Sequence, residues 1–494
     1  MISPTKVLIL KRTILLSIVL LVACQPPAAV PSSTAGIIPD RSGPPQLGDP
    51  KELVLPEIQS FMLSNGIPVY LMEKHNVPII QIVLQVKAGD LNDPDDMVGL
   101  ASFTASMLDE GVEEMDALAL ADALDFLGAN LSTGSQRYAS TVSLNVPAAK
   151  LGEAMPILAD VVLRPSFPAE DLNRLKARSL TSLLQERDSP NAIARVASGK
   201  VLFGNHPFGR RTEESDIKST GVQDLMDFHS KHYVANNASF IVAGDIDIPS
   251  LKSHLEPHFQ NWEKGSSSTI NVPELSQVED RQLYLIDKPG AAQSVIILGR
   301  IGVSRYSEDF YPITVMNTVL GGSFTSRLNY NLREKHGYAY GAGSWFSMGK
   351  DKGPFGASAS VQTDATDKSL VEFMNELRAI SEGISSEEIN RAKNYVALGY
   401  PGRFETVGDY ANQVASLVRL DLPFNTFNEY TKRILDVTVE NALRCAKTYI
   451  DVDNLAIIVV GDREKVVNGI RELGLGPLTV WSIEDVLGPP PSMQ

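Results

Sequence analysis

The sequence predicts an α+β protein with two sister domains, each a mostly antiparallel sheet with helices packed on one face. Three segments of the first half return in order in the second half at nearly constant spacing. In each half, runs of β-branched residues stand at both ends and segments of helical periodicity lie between them. A period near 217 residues is too long for a solenoid, so it indicates a duplicated domain. The returning segments are Asn237–Asp245 as Asn454–Asp462 and Phe167–Lys176 as Ile384–Lys393, both offset by 217, and Gln81–Gly89 as Ser294–Gly302, offset by 213.

Composition shifts along the chain predict the boundaries around the two domains. Residues 24–57 are dense in Pro, Ser and Gly without apolar periodicity, which is typical of a tether. A Ser-rich polar segment separates the repeats, and the Pro-rich C-terminus is expected to be loose. The predicted order is a signal peptide at 1–23, the tether at 24–57, a first domain at 58–263, a linker at 264–280, a second domain at 281–486 and a tail at 487–494.

The overall charge argues against one class of partner. The chain has 494 residues and a formal net charge of −15. A general nucleic-acid-binding protein needs clustered Lys and Arg to neutralise phosphates, so nucleic acid is not an expected partner.

The N-terminus carries an export pattern. Three basic residues precede the apolar run from Thr13 to Ala23, which is too short to span a bilayer comfortably. The ending "LVAC" resembles a bacterial lipoprotein signal and makes Cys24 the expected lipidation site, whereas a plain export signal or a short anchor is the alternative. Only Cys445 remains besides Cys24, so the exported chain is expected to fold without disulfides. Gln25 after the cysteine favours sorting to the periplasmic face of an outer membrane.

The segment "GLASFTASMLDEG", residues 99–111, has an ordered face that carries no reactive group. Apolar residues recur in it with a period of 3.6, which predicts a helix. On another face of that helix lie Ser102, Ala105 and Ser106, three and four residues apart. Close packing through small side chains is the direct interpretation of this face.

Several phrases of the body resemble the pitrilysin/insulinase-type metallopeptidases, the inverzincins. They are "LSNGIPVYLMEKHNVP", "LRPSFP", "NHPFGRR" and "LGGSFTSRLNYNLREKHGYAYGAGSWF", and the similarity runs from Leu53 to Trp481. Active members carry H-x-x-E-H on the helix that matches 99–111, where two His bind Zn²⁺ and the Glu takes a proton from the bound water.

The resemblance implies that this zinc site is lost. The two His positions fall on Ser102 and Ser106 and the Glu position on Ala105; a hydroxyl is a poor zinc ligand and a methyl group is none. The family's third ligand falls near Ser182, and a shift of register to Glu186 or Asp188 stays open. We therefore expect no metal in this chain.

Two histidine pairs have the spacing of metal ligands. They are His229 with His232 and His254 with His258, but no cysteine or paired carboxylate accompanies either pair in the sequence. Pro257 is expected to disturb the helix of the second pair.

The second half keeps residues that family members use outside the zinc helix. Arg333 and Tyr340 match the Arg and Tyr that reach from the C-terminal half, or from a partner subunit, towards the substrate backbone. Both side chains can donate hydrogen bonds to a carbonyl oxygen that gains charge. Seven residues separate them, either two helical turns or a helix end followed by a strand. Gly321, Gly322 and Ser323 match a glycine-rich substrate loop of processing-peptidase relatives, although a turn with a helix cap explains them equally.

These observations together predict a non-catalytic subunit of a two-chain zinc metallopeptidase. Its expected partners are a homologous subunit that carries H-x-x-E-H and the zinc ion, peptide substrates, and a membrane through the lipid. The alternatives are a peptide-binding or structural scaffold without a catalytic role, and an enzyme that acts alone.

Overall fold

The computed structural model describes residues 53–266 and 270–492. The signal peptide, Cys24 and nearly all of the tether lie outside the described residues. Residues from Pro50 onwards form one compact unit. In the described part of the chain, no helix is both long and apolar enough to cross a membrane.

The first half contains one six-stranded sheet, a short two-stranded ribbon and the helices around them. In chain order its elements are β1 (Ile58–Met62), β2 (Pro68–Glu73), β3 (Ile79–Val86), α1 (Leu100–Ser106), β4 (Gly111–Val112), β5 (Met115–Asp116), α2 (Ala117–Leu127), β6 (Asn130–Ser135), β7 (Ser140–Pro147), α3 (Leu151–Leu163), α4 (Ala169–Glu186), α5 (Pro190–Phe203), α6 (Glu214–Ser219), α7 (Val222–His232), β8 (Ala238–Gly244) and α8 (Ile248–Phe259).

The second half contains the other six-stranded sheet. In chain order its elements are β9 (Gln282–Asp287), β10 (Gln293–Ile301), α9 (Phe310–Leu320), α10 (Arg327–Asn329), a π-helix (Tyr330–Lys335), β11 (Ala339–Phe346), β12 (Pro354–Gln362), α11 (Thr366–Glu382), α12 (Ser386–Gly399), α13 (Val407–Arg419), α14 (Thr426–Leu435), α15 (Val439–Tyr449), β13 (Ala456–Gly461), α16 (Arg463–Glu472), β14 (Leu478–Trp481) and α17 (Ile483–Leu487).

The two sheets share one topology, which confirms the predicted α+β fold. The strand order is β1-β2-β8-β3-β7-β6 in the first sheet and β14-β9-β13-β10-β12-β11 in the second. Of the two repeats at an offset of 217, one supplies β8 and β13 and the other the starts of α4 and α12, while the repeat at an offset of 213 supplies β3 and β10. Most pairings are antiparallel; the parallel ones are β2 with β8, β9 with β13, and β9 with β14. The two sheets differ at one edge. In the first sheet the edge strand β1 precedes its neighbour β2 in the sequence. In the second sheet the edge strand β14 comes near the C-terminus, after its neighbour β9.

Helices cover both faces of each sheet, so the prediction of helices on one face is incomplete. One face of each sheet is covered by helices of the same half. The opposite face is covered by one helix of the sister half. From the first half, α5 packs on β10 and β13; from the second, α13 packs on β3 and β8. β8 and β13 are buried along their whole length, and a strand buried on both faces needs a layer on each side.

The exchanged helices carry small and β-branched residues to the sheets. Ile193, Ala194 and Ala197 of α5 belong to one core with Ile458 and Val460 of β13. Reciprocally, α13 belongs to a core that extends from the second half into the first sheet. The two halves are therefore joined through their hydrophobic cores.

The predicted linker and tail are held in place by contacts. Residues 264–266 and 270–280 form no helix or strand, but Gln277 exchanges two hydrogen bonds with the backbone of Ile301, at 2.8 and 3.0 Å. The tail was expected to be loose, and this is wrong for its described part. The Gly488 carbonyl accepts a 2.7 Å hydrogen bond from Arg187, and the Ser492 amide donates one to Glu214 at 3.0 Å.

Candidate functional site

The helix that matches the zinc motif, α1, is short, and its N-cap residue is Gly99. Gly99 adopts φ 102°, and a Cβ there would lie 2.6 Å from Thr212 Oγ1. The helix ends at Ser106, so it covers only part of the predicted 99–111 segment. Phe103 and Met107 are buried, as the apolar periodicity predicts.

A carboxylate that sequence reasoning missed holds the start of α1. Asp93 accepts hydrogen bonds from the backbone amides of Gly99 and Ala101, both at 2.7 Å. Burial raises the pKa of Asp93 to about 6, although the two amide hydrogen bonds act in the opposite direction. Asp93 lies too far before the helix for the usual N-cap spacing, so no local sequence signal marks it.

The three motif positions offer nothing that fits a zinc ion. Ser102 is exposed and its hydroxyl lies 3.4 Å from Asp90 Oδ1, Ser106 is half-buried, and Ala105 is fully buried. Neither hydroxyls nor a methyl group supply the imidazole and carboxylate ligands that zinc requires. Among the described residues, no group of three or more His, Cys, Asp and Glu is placed to hold a metal ion.

The candidate third-ligand positions are occupied by other interactions. The Ser182 hydroxyl donates to the Arg178 carbonyl one turn back in α4, at 3.1 Å. Glu186 accepts a 2.7 Å hydrogen bond from Arg211, and Asp188 lies 3.5 Å from Lys288. Both carboxylates therefore face cationic side chains.

The first histidine pair packs into the protein interior, and the second lies on the surface of α8. His229 Nε2 lies 2.8 Å from the Val162 carbonyl, and burial lowers the pKa of His232 to about 4. In the second pair, His254 Nδ1 lies 2.8 Å from the Ser250 carbonyl of its own helix. Pro257 does not break the helix, because α8 continues through it to Phe259, although Pro257 has no N–H to donate to the backbone.

The structure brings Arg333 and Tyr340 into contact. The π-helix ends at Lys335 and β11 begins at Ala339, so the helix-to-strand alternative describes their connection. The guanidinium carbon of Arg333 lies 5.0 Å from the centroid of the Tyr340 ring, and Arg333 also forms a 3.2 Å ion pair with its neighbour Glu334. The Tyr340 residue is 86% exposed.

Phe324 is a third member of this cluster that sequence reasoning missed. Its ring centroid lies 4.7 Å from the Arg333 guanidinium carbon, and the residue is 62% exposed. Cation–π contacts with both rings restrict the arginine side chain. The signal for Phe324 was its position directly after the Gly321–Ser323 turn, which brings it back beside the helix.

Two side chains fix the frame of this cluster. Arg327 forms a bidentate ion pair with Glu388, with nitrogen-to-oxygen distances of 2.6 and 2.9 Å. Burial acts to raise the pKa of Glu388, but hydrogen bonds from Arg327 and Ser385 prevail and hold it at about 2. Asn329 donates to the Phe324 carbonyl at 2.7 Å and accepts from the Ala342 amide at 3.1 Å, which ties the turn to β11.

The glycine pair is required by packing. A Cβ on Gly321 would lie 2.2 Å from the Ser344 backbone nitrogen of β11, and one on Gly322 would lie 3.0 Å from Asn317 Nδ2. Ser323 does not cap the next helix, because its hydroxyl donates to the Thr318 carbonyl at 3.1 Å. The close approach of α9 to β11 thus explains Gly321, whereas Gly322 is crowded by Asn317 and Thr318 of α9 itself.

Comparison with known proteins identifies the family. Residues 69–203 match the model of the insulinase family, peptidase family M16, and residues 220–396 match the M16 inactive domain. Together these matches cover more than half of the chain. The chain belongs to peptidase family M16.

The proteins similar to this chain include one described as a non-peptidase and several described as zinc proteases. The non-peptidase homolog YmxG of Helicobacter pylori is 24% identical over 81% of this chain and 93% of its own length. An uncharacterized zinc protease of Rickettsia bellii is 25% identical over 68% of this chain and 81% of its own length. The crystal structure of a peptidase M16 inactive domain from Pseudomonas fluorescens superposes with a TM-score of 0.76 and 25% identity, covering 82% of this chain and 98% of that one.

The residues at the motif helix decide which kind of M16 member this is. The sequence resemblance puts Ser102, Ser106 and Ala105 at the positions of the M16 zinc ligands and general base, and the similar chains include an M16 inactive domain and a non-peptidase homolog. The chain is therefore an inactive member of the family.

Proposed function

We propose that this chain is the non-catalytic subunit of a two-chain zinc metallopeptidase. A homologous subunit with an intact H-x-x-E-H helix holds the zinc ion and cleaves the peptide bond. This chain closes the other side of the peptide chamber, needs no cofactor of its own, and contributes Arg333 and Tyr340.

The contact between Arg333 and Tyr340 carries this proposal. The Tyr340 hydroxyl has no hydrogen-bond partner in the described part of the chain, although its ring is held by the guanidinium. A phenol and a guanidinium with free donors, fixed beside each other on an exposed surface, can bind the carbonyl oxygen of a peptide bond as it gains charge. Because the donors are oriented in advance, they need little reorganisation during the reaction.

The sheet edge beside this pair can position an extended peptide. β11 carries Tyr340, and β11 is the last strand of its sheet, paired only with β12. Free backbone groups of an edge strand can take up a peptide as an additional strand. A peptide bound in this way would run past the donor groups of Arg333 and Tyr340.

The same edge supports the second candidate, a peptide-binding scaffold without a catalytic role. Edge addition requires only the β11 backbone. The two candidates differ in their dependence on side chains, because a scaffold would keep its effect on a partner when the Arg333 guanidinium is removed.

We further propose that the chain is anchored by lipid on Cys24 in the cell envelope, at the periplasmic face of the outer membrane. The N-terminal signal pattern supports this location. Labelling with a radioactive fatty acid should mark the wild-type chain but not a Cys24→Ser variant.

Co-expression with an H-x-x-E-H homologue from the same genome tests the central proposal. We expect the two chains to elute together in size-exclusion chromatography and to cleave a quenched fluorogenic peptide library only together. The isolated chain should contain no stoichiometric zinc by elemental analysis. Zinc-dependent cleavage by the isolated chain, or a partner whose activity is the same with and without this chain, would overturn the proposal.

A further inference from the structure

A cavity of about 550 Å³ lies between the two halves, and its lining includes neither a residue of α1 nor Phe324, Arg333 or Tyr340. The first half contributes the end of β3 with Lys87 and the turn before β7 with Tyr138. The second half contributes the β11–β12 connection and the end of α13 with Arg419, while Val272 of the linker forms a third wall. Volumes of this size are typical of small-molecule sites.

A second cavity of about 310 Å³ adjoins the first. The two share the lining residues Lys87, Asn236 and Asp421. The two cavities are therefore neighbours along the junction of the two halves.

The cationic groups of this space are only partly neutralised. Lys350 forms a 3.0 Å ion pair with Asp421, and the Tyr138 hydroxyl donates to Asp351 at 2.7 Å. The Arg419 guanidinium, in contrast, forms no hydrogen bond or ion pair with any residue of 53–266 or 270–492. Burial lowers the pKa of Arg419, and no carboxylate opposes that effect.

Lys87 adds a second unpaired cation to the same wall. Its ammonium group has no ion-pair partner in the described ranges, and its backbone pairs with Asn237. Arg419 and Lys87 thus line the cavity without ion-pair partners of their own, although Asp351 and Asp421 line it as well. Because the unpaired Arg419 guanidinium is partly removed from water, which costs free energy, an anion beside it would be stabilised, and the exposed Lys87 adds electrostatic attraction.

Buried hydrogen-bonding groups on the cavity walls also lack partners. Gln85 is 2% exposed and its side-chain Nε2 has no acceptor; Ser239, in the adjoining cavity, is 3% exposed and its hydroxyl has no partner. Buried polar groups are nearly always hydrogen-bonded, so an unpaired amide on a cavity wall indicates a missing partner.

We propose that this cavity binds a small organic carboxylate, whose anionic group contacts Arg419 and Lys87 and whose apolar part contacts Leu91 and Val272. The apolar wall favours an organic ligand over an inorganic anion. A guanidinium binds a planar carboxylate through two parallel hydrogen bonds. The site is independent of the proposed role in peptide cleavage.

Binding at this place would also stabilise the junction. The walls come from both halves and from the linker, so a ligand contacts all three at once. A ligand that binds the folded state alone raises the unfolding temperature by mass action.

Calorimetric titration of the purified chain with succinate tests the proposal, with neutral succinamide and inorganic phosphate as comparison probes. We expect succinate to bind and to raise the unfolding temperature, and we expect succinamide and phosphate to do neither. Arg419→Gln should weaken succinate binding at least about tenfold, because a charge-assisted hydrogen-bond pair is lost. Lys87→Gln should weaken it by a smaller factor.

Arg391→Gln is the matched control, since Arg391 is an exposed arginine of α12 with a single 3.8 Å ion pair to Glu387. It should bind succinate like the wild type. Thermal unfolding without ligand verifies that Arg419→Gln folds. Because Lys87 is exposed, Lys87→Gln should not affect folding. Absence of succinate binding, equal affinity in wild type and Arg419→Gln, or binding of phosphate in place of succinate would overturn the proposal.

Discussion

The Arg327 guanidinium binds both carboxylate oxygens of Glu388, at 2.6 and 2.9 Å, and thereby joins the start of α10 to the N-terminal cap of α12. Glu388 belongs to a capping box with Ser385, so one carboxylate serves the helix and the arginine together. The π-helix with Arg333 follows Arg327 after one short turn. The ion pair therefore stabilises the position from which Arg333 reaches Tyr340.

Removing the Glu388 charge should destabilise the fold in a pH-dependent way. The folded-state pKa of Glu388 is about 2 against an ordinary value of 4.5, so its charge stabilises the folded state above pH 4.5 and this contribution is lost as the pH falls through about 2. We expect Glu388→Gln to lower the free energy of unfolding by about 1–2 kcal/mol at pH 7, since both side chains remain partly exposed and solvent screens them. Urea titrations at pH 7 and pH 3 measure it.

The control for this pair is Glu387→Gln, because Glu387 is a highly exposed neighbour in the same helix turn. Its stability should follow the wild type at both pH values. A Glu388→Gln variant as stable as Glu387→Gln at pH 7 would contradict the role assigned to the ion pair.

Asp93 should make stability depend on pH in the opposite direction. Its folded-state pKa is raised to about 6 from an ordinary 3.8, so the folded chain retains its proton more strongly than the unfolded chain. The stabilisation is complete below about pH 4 and is lost as the pH rises through 6, a change on the order of 2 kcal/mol. Asp93→Asn cannot titrate and should remove this change.

Denaturant unfolding of wild type and Asp93→Asn at pH 4, 5, 6 and 7 measures the effect. Asp95→Asn serves as control, because the Asp95 side chain is fully exposed. If the free energy of unfolding depends on pH in the same way in wild type and Asp93→Asn, the raised pKa of Asp93 is contradicted.

The exchange of α5 and α13 predicts that the two halves unfold together. Ile193 of α5 is fully buried against the second sheet, and its truncation to Ala should cost about 3 kcal/mol. In differential scanning calorimetry, Ile193→Ala should shift a single unfolding transition to lower temperature. Asn191→Ala, at an exposed position of the same helix, should leave the unfolding temperature unchanged. Two separate transitions, with only the second-half transition shifted, would contradict the exchange.

The duplication was visible in the sequence, whereas the exchange of helices was not. The repeated strings mark β8 and β13 as buried strands because their apolar runs are continuous. The 3.6-residue period of α5 shows that one of its faces is buried, but Ile193, Ala194 and Ala197 do not indicate which sheet they cover. Only the closed three-dimensional packing assigns α5 to the second half.

The sequence indicated part of the candidate site. The family phrase pointed to Arg333 and Tyr340, which lie in contact in the structure, while their role stays a prediction, as does the loss of the zinc ligands. Phe324 and Asp93 were missed because their contacts depend on how a turn folds back, which local spacing does not encode. Gly321 was singled out because a glycine pair lets the backbone approach a ligand closely, whereas in the structure Gly321 allows the close approach of β11.

Restoring the general-base position alone should destabilise the chain. Ala105 is fully buried, so Ala105→Glu places a carboxylate where no partner exists and should cost 2 kcal/mol or more, a rough expectation for an unpaired buried polar group. Ser102→His, on the exposed position of the same helix, should have an effect within about 0.5 kcal/mol. Urea unfolding compares the stabilities of the two variants. An Ala105→Glu variant as stable as the wild type would contradict the expectation, since it would show that α1 accommodates a glutamate side chain at position 105.

The most direct measurement is kcat/KM of the complex reconstituted from this chain and its H-x-x-E-H partner. Arg333→Gln and Tyr340→Phe in this chain should each lower kcat/KM by about 10²-fold through kcat, as expected when a donor to a developing oxyanion is removed, while assembly and zinc content stay unchanged. Arg391→Gln should have no effect. Turnover that is the same with wild-type chain, Arg333→Gln and Tyr340→Phe would contradict the account.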